Sequence, residues 1–103
     1  MQEPFHIFSI DRKEYSAKMV DNLPVLRAKL GLSQEKIAGI IGITRQTISA
    51  IENKSREMSW PIFLSLLFLF SKNSDTQMLM KAMGIYDEYL EEYFTFTDLG
   101  QLN

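Results

Sequence analysis

The stretch Leu30-Gly31-Leu32-Ser33-Gln34-Glu35-Lys36-Ile37-Ala38-Gly39-Ile40-Ile41-Gly42-Ile43-Thr44-Arg45-Gln46-Thr47-Ile48-Ser49-Ala50-Ile51-Glu52-Asn53 decides the fold. Ser33 is placed to cap a helix, Glu35 suits its positive N-terminal end, and Ile37, Ile40 and Ile41 supply an inward face around the small Ala38. Gly42 stops that helix and can take the positive φ of a tight turn. Thr44 then caps a second helix, anchored inward by Ile48 and Ile51 and running from Arg45 to about Asn53. On a wheel of about 100° per residue, Gln46 and Asn53 point away from the two isoleucines, with Ser49 and Ala50 beside them. The outer face of the second helix is therefore small, polar and uncharged at its centre. Arg45 and Gln46 occupy its first turn, where arginine suits guanine and glutamine suits adenine in a major groove.

Upstream, Asp11 and Glu14 have capping-box spacing and precede a helical run through Tyr15, Met19, Leu23, Leu26 and Leu30. Pro24 either kinks one helix there or marks the first turn of a second helix capped by Asn22. Gly31 ends the run. Before it, Phe5 to Ile10 reads as a strand or an extended arm.

Downstream, Ser59 caps a helix with Pro61 in its first turn, closed by Lys72 and Asn73. Its run from Trp60 to Phe70 is apolar but for Ser65 and Pro61, about half of the roughly 20 residues a membrane span needs, and so reads as a buried helix. Ser74 and Gln77 form a capping box for another helix, which Gly84 ends. From Ile85, the residues Tyr86, Tyr89, Leu90, Tyr93 and Phe94 follow helical spacing, with Asp87, Glu88, Glu91 and Glu92 on the other face. Thr95 to Thr97 reads as extended.

A chain of 103 residues, 46% hydrophobic, is one domain's length with a modest core. Without cysteine it has no disulfide or thiolate chemistry, and the cytoplasm is the default compartment. The opening Met1-Gln2-Glu3-Pro4 does not read as a secretory signal, and the mature chain is expected to begin there. The net charge of −2 hides a strong partition. Residues 22–72 carry seven basic and three acidic side chains, a net +4, whereas residues 1–21 carry −1 and residues 73–103 carry −5. The basic middle suits an anionic partner and the acidic tail a different one. Three parts are expected: an N-terminal arm and helix over 1–21, the two-helix unit with its flanking helices over 22–72, and an acidic amphipathic extension over 73–103.

The stretch from residue 30 to 53 resembles the phage-repressor-like (Cro/repressor, XRE) helix-turn-helix family, over about half the chain once the flanking helices from Leu23 to Phe70 are counted. The resemblance implies an all-α, lambda-repressor-like bundle, to which the residue pattern adds a C-terminal helical extension and short extended segments at the two ends. It implies a sequence-specific regulator of transcription, a repressor by analogy, bound to a double-stranded DNA operator as a homodimer. Arg45, Gln46, Ser49 and Ala50 would read bases. Gln34, Thr44, Thr47, Asn53 and Lys54 would contact phosphate, helped by the free N–H groups of helix N-termini. Family members that match at Arg27 and Glu52 pair them, so a structural ion pair is expected there. Two departures stand out: Lys54 sits where the family commonly has glycine, and the aromatic run from Trp60 replaces a more amphipathic helix.

A helix apolar on nearly all sides needs cover on nearly all sides. Trp60, Phe63, Leu67, Tyr86, Tyr89, Leu90, Tyr93 and Phe94 are therefore candidates for a dimer interface. Met78, Met80 and Met83 read as core or interface filling, and the lone His6 as a packing or surface residue. An ordinary helical bundle could share the tight turn, but the charge partition argues against that reading. Neither a Gly-rich phosphate loop, a Ser/His/Asp set nor a clustered carboxylate pair is present, so an enzyme has no candidate site, and no metal, cofactor or membrane partner is expected. The competing reading is an antitoxin-type interaction module whose acidic tail holds a basic protein.

Overall fold

The computed structural model describes residues 10–95, and within them the chain is entirely helical. The six helices are α1 (Arg12–Leu30), α2 (Gln34–Ile41), α3 (Arg45–Glu52), α4 (Trp60–Ser71), α5 (Ser74–Ala82) and α6 (Glu88–Tyr93). The extended segments expected at the two ends fall outside the described residues except for Ile10 and Thr95, which belong to no regular element.

Local chemistry sets most of the boundaries. The side chains of Asp11, Ser33, Thr44 and Ser59 each accept a hydrogen bond from the backbone N–H three residues on, which satisfies a donor the helix cannot. Gly31 and Gly42 end α1 and α2 in the left-handed conformation, with φ of 67° and 84°. In the tight turn between α2 and α3, the Gly42 and Ile43 N–H groups both donate to the Ala38 carbonyl.

Several expectations are corrected. Pro24 lies inside one unbroken α1, and Asn22 caps nothing: its Nδ2 donates to the Lys18 carbonyl at 2.8 Å. The division drawn between residues 21 and 22 thus falls within a single helix. Asn73, not Ser74, caps α5, accepting from the Asp75 and Thr76 N–H groups. Thr76 settles that register, because its buried hydroxyl donates to the Phe70 carbonyl at 2.6 Å and ties the start of α5 to the end of α4. Asp87 caps α6 by accepting from the Leu90 N–H, so that helix starts at Glu88 and excludes Ile85 and Tyr86. The aromatic residues from Tyr86 to Phe94 therefore do not form one stripe. Leu90 is fully buried, and Tyr89, a residue earlier, is 70% exposed. Ile40, expected inward, is 53% exposed, since Ile37, Ala38 and Ile41 set the inward direction and Ile40 falls about a quarter turn from it.

The core is continuous across the chain. Met19, Leu23 and Leu26 of α1 meet Ile37, Ile48 and Ile51 of the helix pair, and Phe63, Leu66 and Phe70 of α4. Met80, Ile85 and Leu90 join the same cluster, so residues 73–95 complete the core rather than extend from it. The Tyr15 hydroxyl donates to Asp87 Oδ1 at 2.6 Å and fastens the α6 cap to α1. Burial and the Asp87 carboxylate raise the Tyr15 pKa, keeping its phenol protonated.

Candidate nucleic-acid interface

α3 is divided cleanly by burial. Ile48 and Ile51 have no exposed surface, whereas Arg45, Gln46 and Asn53 are exposed and Ser49 and Ala50 are half-buried between them. The inward face fixes how the helix is rolled, and the roll decides what the outer face presents.

The base of the unit is an ion pair with extensions. Arg27 Nε donates to Glu52 Oε2 at 2.7 Å and Arg27 Nη2 to Glu52 Oε1 at 3.0 Å, a two-pronged contact between α1 and the end of α3. Arg27 Nη1 also donates to the Leu32 carbonyl, which secures the loop entering α2. The two side chains are only 17% and 9% exposed. Burial disfavours a charged Glu52, but the hydrogen bonds from Arg27 and Gln34 and the guanidinium charge outweigh it and hold the carboxyl below its ordinary range.

The network continues outward. Gln34 Nε2 donates to Glu52 Oε1 at 3.0 Å, and Gln34 Oε1 accepts from Arg45 Nη1 at 3.4 Å. The side chain of Gln34 is thus engaged between the buried pair and the first residue of α3. The hydroxyls of Thr44 and Thr47 lie 3.0 Å apart at the N-terminus of α3, and Arg56 Nη1 reaches Thr47 Oγ1 at 3.4 Å. Arg56, in the loop between α3 and α4, is not among the residues expected at the interface. The signal was the loop length: the Ser55 and Arg56 N–H groups both return to the Ala50 carbonyl, folding the chain back toward α3.

Lys54 takes φ of 66°, which explains why glycine suits this turn. Its ammonium pairs with Asp21 of α1 at 2.9 Å, with both side chains more than half exposed. Among the interface candidates, Phe63 and Leu90 are corrected: both are fully enclosed in the chain's own core and have no surface to offer a second subunit. Trp60, Leu67, Tyr86 and Tyr93 are half-buried, while Tyr89 and Phe94 are exposed. Trp60 stacks on Phe63 at 4.6 Å between ring centres. Phe68, 66% exposed, was not singled out. A helix apolar on all sides carries no periodicity from which to pick its outward residue.

Comparison with known proteins agrees with this geometry. A helix-turn-helix family model matches residues 26–59. The chain is 40% identical over 53 residues to an uncharacterized HTH-type transcriptional regulator, YgzD, of Bacillus subtilis (strain 168), a match that covers 52% of this chain and 80% of that protein. The chain belongs to the XRE-type helix-turn-helix family. That XRE-type family is a DNA-binding, non-enzymatic class of transcription regulators. No solved structure matches the chain. No described helix of this XRE-type protein is long and apolar enough to cross a membrane.

Proposed function

We propose that this chain is a sequence-specific, cytoplasmic transcriptional repressor that binds a palindromic operator as a homodimer and reads the major groove with α3. One observation carries the reading: the first turn of α3 is exposed and polar, with Arg45 and Gln46 outward, while Ile48 and Ile51 lock its opposite face. In this reading Arg45 and Gln46 make the main base contacts, with Ser49 and Ala50 close enough to the bases to exclude wrong pairs. Thr44, Thr47, Asn53 and Lys54 take phosphates around the two ends of α3. Gln34 meets the backbone from the N-terminus of α2, and its amide steadies Arg45.

Dimerisation draws support from exposed apolar surface at Phe68, Tyr89 and Phe94. Each subunit then takes one half-site, and half-sites one helical turn apart, about 34–36 Å, follow from two symmetric recognition helices. Selection of bound sequences from a random duplex pool tests the reading. A palindromic winner is expected; recovery of no preferred sequence, or of a single unrepeated half-site, contradicts specificity or dimerisation respectively.

A further inference from the structure

A cleft of about 570 Å³ lies between α1, the loop that follows α3 and the start of α4. Its origin is visible in the residues. Lys13, Ser16, Ala17 and Val20 share one face of α1, about a third of a turn from the core face of Tyr15, Met19, Leu23 and Leu26. Serine and alanine at the middle of that face are too small to meet the loop opposite, and a gap remains. Val20, Met58 and Trp60 give it an apolar floor.

Charge at the cleft is unbalanced. Arg12, Lys13, Lys54 and Arg56 line it against only Asp21 and Glu57. Arg12 is occupied, lying over the Trp60 ring at 5.5 Å and donating to the Tyr93 hydroxyl. Lys13 makes no ion pair among the described residues, and Lys54 is held only by its solvent-exposed pair with Asp21. An apolar floor lined by Lys13 and by the exposed Lys54, in a volume within the usual range for small-molecule sites of about 300–1,000 Å³, defines the chemistry of an occupant.

We propose that this cleft binds a small amphipathic organic anion, with an acidic head on an apolar ring or chain. The apolar body covers Val20 and Met58, and the head takes Lys13 and draws Lys54 away from Asp21. Lys54 directly follows the cap of α3, so occupancy changes the cation presented at the end of the recognition helix. This second, regulatory half rests on the DNA reading proposed above.

The test is a fluorescence titration of the full chain with 8-anilinonaphthalene-1-sulfonate, an aromatic anion that brightens in apolar sites. One saturable site per chain is expected, competed by decanoate and not by decanol. Ala17→Phe, at an exposed helical position, fills the gap and should weaken binding at least tenfold with the far-ultraviolet circular dichroism unchanged. Lys13→Ala should weaken it about threefold, as for one partly exposed charge pair. Unsaturable binding, no binding, or wild-type binding by Ala17→Phe overturns the site. Saturating probe should then shift the affinity of the wild-type chain for duplex DNA and leave Ala17→Phe unmoved; a bound probe without that shift overturns the regulatory half. The fluorescence titration needs no DNA, so failure of the site and failure of the DNA reading are distinguishable.

Discussion

Lys54 holds a backbone conformation that costs a residue with a β-carbon about 1 kcal/mol, and its exposed pair with Asp21 returns only a fraction of that. Lys54→Gly should therefore raise stability by about 0.5 kcal/mol in denaturant unfolding, while lowering the salt slope of DNA binding by about one unit per bound site. A less stable variant contradicts the strain argument. Glu52 gives the opposite case, a charge whose surroundings favour it. Its folded pKa lies below the ordinary value, so its contribution is complete above the unfolded glutamate pKa of about 4.3 and is lost as pH falls through the folded value. Glu52→Gln should flatten the acid limb of the stability profile below about pH 4.3. Arg27→Ala should cost about 3 kcal/mol at pH 7, because it leaves a nearly enclosed carboxylate without its cation. An unchanged acid limb in Glu52→Gln, or a loss under 1 kcal/mol in Arg27→Ala, would show that water rather than the pair solvates Glu52.

α2 offers a paired experiment on helix chemistry. Gly39 lies in mid-helix with open space where a β-carbon would stand, so Gly39→Ala should stabilise by about 0.5–1 kcal/mol. Gly42 also has open space, but its φ of 84° penalises any β-carbon, and Gly42→Ala should cost about 1 kcal/mol or more. Thermal unfolding that shifts both variants in the same direction contradicts the assignment of the turn. The same locality explains what the sequence made legible. The caps at Asp11, Ser33, Thr44 and Ser59 and the stops at Gly31 and Gly42 depend on neighbours within a few residues, and all were readable. At Asn73-Ser74 both residues can cap, and the choice is settled by the Thr76 bond to Phe70 in another helix. Asp87 read as one more acid on a helical face, because nothing local distinguishes a capping carboxylate from a solvated one. The extent of the polar face of α3 was legible from Ile48 and Ile51, but the engagement of Gln34 by Glu52 and Arg45 required the packing of α2 on α3.

The described residues share one core, since Met80, Ile85 and Leu90 join that of the helix-turn-helix. Leu90→Ala should therefore destabilise the entire described structure by about 2–5 kcal/mol in a single transition. Loss of α6 alone, with α1 to α4 unfolding as in wild type, contradicts a shared core. The charge partition belongs to this scale too: residues 22–72 carry a net +4 and residues 73–103 a net −5, and in the proposed reading the basic part supplies the attraction for DNA. The central claim is that Arg45 and Gln46 read sequence while the surrounding groups hold the backbone. Titration of wild type, Arg45→Ala and Gln46→Ala on the selected operator and on a scrambled duplex, at several salt concentrations, tests it most directly. Each substitution is predicted to cost about 1–3 kcal/mol on the operator and little on scrambled DNA. An unchanged ratio of specific to non-specific affinity in both variants would contradict the account, even if all three proteins still bind DNA.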